Sequence, residues 1–455
     1  MRGLRLHLVL VVALSLVCVA SVARAQTGGM AAPGLRETVL DNGLRLVVLP
    51  DGRAPIVTHM VWYQAGSADD PVGKSGLAHF LEHLMFTGTA ERPKGDFVRA
   101  VNRVGGLQNA FTSFDYSVYF QQIPADALPD MMRFEADRMV HLDLTEEAVA
   151  IEHAVIKEER RVRIDNDPAS RMVEEMDAAL FLRHPYRNPV IGWMHEIEGL
   201  TRADAAGFYR RFYRPDNAVV IVVGDVRFDD VLAMARATYG RVPRGAQPVL
   251  RHRLREPVVD TRRTVSLSDA RIRAETFRKS WVVPSVATAS SGDAEALSLL
   301  AELLGGGPHG RLYQSEVLGT GRAKSVSARY DGHGLDYGYF SLYGTPLAAE
   351  DLLTLEAAFD AAIAQIAAVG VPADALAAAR RRVLRAEFFA NDDPMMMARQ
   401  IGMVLSTGSD LDWFGTEADR LAAVTPEDIR RVAKMWLRAD RAVSGYLRSA
   451  EEVGQ

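Results

Sequence analysis

One order of elements runs through this chain twice, and that repetition limits its fold more than any single residue does. In the first half, 37–50 reads ETVLDNGLRLVVLP, alternating apolar and polar residues around Asn42-Gly43, a strong hairpin signal. A strand follows at 56–64, helical spacing at 75–86 and 96–104, and a break at Gly105-Gly106. Strand-like alternation returns over 107–122. Helical stretches at 127–140 and 145–163 end before Pro168, a helix at 205–213 follows, and the apolar strand 218–223 closes on Gly224-Asp225. From 264 the order recurs: strands at 264–285, a helix at 293–304, a Gly-rich break, strands at 325–343, then two or three helices. Repeats of a mixed unit of roughly 200 residues predict an α+β fold of two duplicated domains. Each is expected to be a mainly antiparallel sheet packed with helices. Between them 241–260 is rich in Arg and Pro and loses periodicity. The expected boundaries are 26–245, a linker at 246–260, and 261–455.

Composition narrows the class. The 455 residues are 48% hydrophobic and 24% charged, an ordinary globular balance, and the net charge of −5 argues against nucleic acid as a main partner. Arg2 and Arg5 precede an apolar run at 8–19 that ends in Ala23-Arg24-Ala25. That pattern predicts a secretory signal cleaved near Ala25, leaving no stable membrane anchor. Its strongly apolar character points to the bacterial periplasm rather than a mitochondrion. Cleavage removes the only cysteine, Cys18, so cysteine-ligated metal sites are excluded from the mature chain.

The sharpest chemical feature is His79-Phe-Leu-Glu82-His83. Residues four apart share a helix face, so both imidazoles can reach one ion, with Glu82 close to the same face. Two neutral imidazoles and a carboxylate suit Zn²⁺, and a carboxylate beside the metal's water can serve as general base. The plain alternative is a pair of hydrogen-bonded helix histidines. Leu77, Phe80, Leu81, Leu84 and Met85 would bury this helix, however, and buried polar groups need partners that a metal supplies. Laid on the corresponding helix of the second half, LAHFLEHLMFTG meets ALSLLAELLGGG from Ala296. His79, Glu82 and His83 then face Ser298, Ala301 and Glu302, so only the first half carries the chemistry.

The run GLAHFLEHLMFTGT from Gly76 resembles the signature of the pitrilysin/insulinase family of zinc peptidases, most closely its mitochondrial-processing-peptidase-like branch. The similarity extends through GGLQNAFTSFDYSVYF from Gly105, HPYRNPVIGWMHEIEGLT from His184 and FYRRFYRPDNAVVIVVGDV from Phe208. The resemblance implies a third ligand at Glu159, 76 residues after His83, with Glu152 seven residues before it orienting a ligand or the water. A spacing of seven also puts those two carboxylates on one helix face, whereas the competitor Glu158 points about 100° away. Asn109-Ala110 matches the family's strand beside the zinc, where an extended substrate adds to an exposed sheet edge. Family members that use both halves carry a substrate-clamping Arg and Tyr seven apart in the second half. Counting from Arg311-Leu312-Tyr313, those positions fall on Val317 and Lys324; Arg322 and Tyr330 lie nearby but eight apart.

The resemblance therefore implies a zinc metalloendopeptidase acting on peptides or unfolded segments. His79, His83 and Glu159 would be metal ligands, Glu82 the catalytic base, and Asn109 and Ala110 substrate-binding. A homologous subunit supplying the clamp, or a second copy of the chain, would complete it. The competing expectation is a non-catalytic interaction scaffold on the same fold.

Overall fold

The computed structural model describes residues 34–290, 292–390 and 392–450; the expected export signal lies outside them. The first sheet contains β1 (Arg36–Val39), β2 (Arg45–Pro50), β3 (Ile56–Tyr63), β4 (Leu107–Thr112), β5 (Ser117–Pro124) and β6 (Ala218–Gly224), in the order β1-β2-β6-β3-β5-β4. The second contains β7 (Arg263–Asp269), β8 (Thr276–Val283), β9 (Ala323–Asp331), β10 (Gly338–Pro346) and β11 (Val443–Ser449), in the order β7-β11-β8-β10-β9. Without β1 the two orders correspond strand for strand. Each sheet has one parallel pair, β2 with β6 and β7 with β11, and is otherwise antiparallel. The fold is thus α+β and duplicated, as the repeated order predicts.

Local chemistry accounts for these elements. Asn42 turns the first hairpin, and its side chain donates to the carbonyls of Tyr239 and Val242. The continuous apolar run of β6 is buried along its whole length, as a central strand covered on both faces must be. One face packs on helices of its own half. The other is covered by the helix Pro394–Ser406 from the second half, where Gly402 lets the backbone approach Trp62: an added Cβ would lie 2.0 Å from the indole. The second sheet receives the reciprocal cover. Helix Pro168–Leu180 of the first half lies on β7 and β11, and Gly445 leaves room for Met176.

Helix Pro168–Leu180 departs from expectation. Pro168 reads as a stop after the preceding helix, but it is also the first residue of a new one, with Asp167 accepting from Ser170 N at 2.9 Å. Helix Phe228–Ala237 was also missed. After β10 the chain forms five helices (Leu352–Val369, Ala373–Ala390, Pro394–Ser406, Leu411–Ala423 and Pro426–Trp436) and then β11, rather than two or three helices. Caps at Asp393, Asp410 and Thr425 divide what reads as a longer helical run. The helical span Ala349–Val369 is apolar and long enough to cross a membrane, yet it buries Leu355, Phe359, Ile363 and Ile366 in the second core.

Residues 248–260 form no regular element, but they are tied down by charge. Arg253, 4% exposed, pairs with Asp69 at 3.0 Å, Asp336 at 2.9 Å and Asp115. Arg251 adds a 2.6 Å contact to Asp69. Glu256 accepts from the backbone N–H groups of Leu182, Arg183 and His184. The segment between the sheets is a strap fastened to both halves.

Candidate metal centre

The site begins with the helix Leu77–Leu84. Its entry residue Gly76 has φ 87°, and a Cβ there would stand 2.6 Å from the Ile191 carbonyl, so glycine is required. Asp70 accepts from the backbone N–H groups of Gly76 and Ala78, both at 2.9 Å, and so fixes where the helix starts. One turn on, His79 is 8% exposed, and the His79 and His83 rings lie 4.9 Å apart on the face that the four-residue spacing specifies.

The second part is helix Glu146–Arg160, begun by Thr145, which accepts from Ala148 N at 3.1 Å. Its end is pinned where buried Arg160 reaches Glu174 and the Gly192 carbonyl, each at 2.7 Å. Glu159 Oε2 then lies 3.1 Å from His83 Nε2 and 3.7 Å from His79 Nε2. One donor atom from each of these three residues falls within 4.8 Å of the others, a grouping found nowhere else among the described residues. Ligands at about 2.0–2.1 Å from a tetrahedral Zn²⁺ are separated by roughly 3.3 Å, so the two measured contacts bracket the spacing the ion needs.

The neighbours fit the same purpose. Glu152 Oε2 lies 3.6 Å from His83 Nδ1 and Glu152 Oε1 2.8 Å from Lys94 Nζ, so the carboxylate stands on the ring nitrogen turned away from Glu159. Glu158 points elsewhere, paired with Arg161 at 3.2 Å and 64% exposed. Glu159 Oε1 is 2.6 Å from Arg163. Glu82 accepts a 2.6 Å hydrogen bond from Thr112 Oγ1 at the end of β4. Sequence reasoning missed Thr112; the signal was its place two residues beyond Ala110 in a strand, which puts both on one face.

Electrostatics separate the groups. Burial, and His83 after it, push His79 down to about 4, so its imidazole is neutral and free to donate a lone pair. Burial alone would lower His83, but the Glu152 and Glu159 carboxylates outweigh it and lift the ring to about 9. Those same contacts hold Glu152 and Glu159 below the usual carboxylate range, against the opposing effect of burial. Burial raises Glu82, with the Thr112 hydrogen bond and His83 pulling back. The proton on His83 occupies a place where two carboxylates converge, and a dication could replace it.

These side chains line a cleft of about 910 Å³. Asn109, Ala110, Phe111 and Thr112 form one wall, on a strand whose only sheet neighbour among the described residues is β5. Asn109 Oδ1 accepts from Ala110 N at 2.8 Å. Val173, Val190 and Ile191 add apolar surface to the lining.

The second half brings together no equivalent set among the described residues. On helix Asp293–Gly305, Ala301 is buried and Glu302 pairs with Arg382 at 2.5 Å. Arg322 pairs with Glu316 at 2.7 Å, and Tyr330 donates to the Pro284 carbonyl at 2.8 Å. Val317 packs against the second core and Lys324 lies on the surface.

Known proteins resemble this chain in sequence and in fold. Residues 46–192 match the description "Insulinase (Peptidase family M16)" and residues 199–383 "Peptidase M16 inactive domain". A zinc protease PqqE of Helicobacter pylori is 32% identical over 64% of this chain and 66% of its own length. An uncharacterized zinc protease of Mycobacterium bovis is 33% identical over 69% of this chain and 70% of its own. The mitochondrial-processing peptidase subunit beta of Blastocladiella emersonii is 25% identical over 89% and 86%. The crystal structure of a protease from Helicobacter pylori superposes with a TM-score of 0.84 at 25% identity, covering 91% of this chain and 99% of that one.

Proposed function

The chain belongs to the insulinase family of M16 peptidases, and from that premise we propose that it is a zinc-dependent endopeptidase of peptides or unfolded segments. The observation that carries the reading is Glu82, oriented by Thr112 beside the His79–His83–Glu159 cluster on the wall of an open cleft.

In this reading His79, His83 and Glu159 hold Zn²⁺, and Glu152 orients His83 through its Nδ1. When bound, the ion supplies Lewis-acid polarisation of the scissile carbonyl and acidifies the attacking water. The chain's own residues do the rest. The substrate pairs with the free edge of β4 as an added strand, so main-chain hydrogen bonds present the scissile bond with little sequence preference. Glu82 takes a proton from water in the cleft and returns it to the leaving amine; its raised proton affinity suits both transfers. The direct test is Glu82→Gln, which is expected to abolish peptide cleavage while keeping the metal. Wild-type turnover in that variant would remove Glu82 as the base.

The second half's Arg322 and Tyr330 are engaged in local contacts, and this favours a second subunit that completes the substrate clamp, either a homologue or another copy of the chain. The same observation keeps a scaffold role open for the chain alone. Assaying the chain with and without a candidate subunit separates the two. The apolar run at 8–19, read as an export signal, supports a periplasmic location.

A further inference from the structure

A second cavity, of about 510 Å³, lies away from the metal cluster, between the strap and the second sheet. Its size is in the range that holds small ligands. Much of its wall is apolar, with Val282 and Pro284 on the sheet side, Trp436 from the last helix, and Leu254 and Val258 from the strap. Leu254 is 53% and Val258 75% exposed, an unusual position for two such side chains at a cavity wall.

The charges around this cavity do not balance. Its two carboxylates are committed: Glu256 accepts from three backbone N–H groups, and Asp336 is held by Arg253 and His184. Arg441 pairs with Asp260 at 2.7 Å. That leaves Arg255 and Arg263 with no carboxylate within 4.0 Å among the described residues. Arg263 donates only to the carbonyls of Ala179 and Leu180, and its buried Nε has no acceptor. The Arg263 guanidinium is half-buried with only Glu256, beyond 4.0 Å, opposing its charge, and Arg255 is exposed at the rim; an anion between them would form charge-assisted, bidentate bonds.

We propose that this cavity binds a carboxylate carried on an apolar body, with the carboxylate on Arg263 and Arg255 and the body along Val282, Pro284 and Trp436. A compact, strongly hydrated anion would leave the apolar wall unused, whereas a purely apolar molecule would leave the arginines uncompensated. Two sources share the chemistry: a fatty acid, and the free C-terminus of a peptide ending in apolar residues. Because the strap forms one wall, occupancy would also brace the junction between the halves.

The test is calorimetric titration of the purified mature chain with dodecanoate, dodecanol, and an acetylated Leu-Val-Phe peptide as free acid and as amide. The expected result is saturable binding of at least one acid, at least about tenfold tighter than its uncharged counterpart. Arg263→Gln and, independently, Arg255→Gln should each weaken it by about tenfold or more, with zinc content and peptide cleavage at wild-type levels. Dodecanoate alone binding identifies a lipid ligand; the free-acid peptide alone identifies a peptide terminus. Equal binding of acid and uncharged forms, acids binding no tighter than roughly 1 mM, or unchanged affinity in both variants would overturn the proposal.

Discussion

Thr112 Oγ1 donates a 2.6 Å hydrogen bond to Glu82 Oε2, joining the last residue of the edge strand to the helix that carries both histidines. The strand proposed to receive the substrate and the carboxylate proposed as base are therefore one mechanical unit. Thr112→Val is expected to lower kcat by about tenfold or more with little change in KM, because it frees Glu82 without altering the edge. Thr112→Ser, which keeps the hydroxyl, should recover most of the rate. A KM effect without a kcat effect in steady-state assays would assign Thr112 to substrate binding instead.

Asp70 sets the helix start with two backbone hydrogen bonds from a half-buried position. Asp70→Ala leaves both donors unsatisfied and is expected to cost about 2 kcal/mol of stability. Thermal unfolding of the two proteins checks this. An unchanged midpoint would mean that the helix start is fixed by Gly76 alone.

His83 connects metal binding to pH. Its folded-state value of about 9 lies above the ordinary 6.5, so the metal-free protein gains stability from this proton fully below about 6.5 and loses it as pH rises through about 9. At pH 7 a metal must displace that proton. Zinc affinity should therefore rise by up to about tenfold per pH unit towards pH 9, with close to one proton released from His83 per ion. Calorimetry in buffers of different ionisation enthalpy measures the release. No proton released at pH 7 would contradict the protonated state of His83.

Arg253 is the fastening of the strap. Arg253→Met strands Asp69, Asp115 and Asp336 without their shared cation and should destabilise the protein by about 3–5 kcal/mol. Arg253→Lys should not rescue it, since one ammonium cannot serve three carboxylates in a fork. Burial would raise Asp336, but His184 and Arg253 bring it down to about 2. Its contribution is therefore present above about 3.8 and lost as pH falls through about 2. Acid unfolding of wild type beside the variant should differ in that window.

Much of this was legible in the sequence because the signals were local. Asn42-Gly43 marks a hairpin, the run at 218–223 marks a central strand, and the four- and seven-residue spacings put His79 with His83 and Glu152 with Glu159 on shared faces. What escaped depends on distant partners. Helix Pro168–Leu180 was hidden because one proline ends a helix and begins the next, and its apolar face answers a sheet in the other half. The strap read as a linker because its Arg and Pro residues lack periodicity, and nothing local shows that Arg253 is buried among three carboxylates. Thr112 escaped because a strand hydroxyl acquires its role only once Glu82 is beside it.

The central claim is that His79, His83 and Glu159 form one zinc site. It is tested most directly by the zinc content of the purified mature chain, wild type beside Glu159→Gln and Glu158→Gln. The account predicts about one zinc per chain in wild type and Glu158→Gln, and little in Glu159→Gln. No zinc in wild type after supplementation, or full zinc in Glu159→Gln, would contradict it.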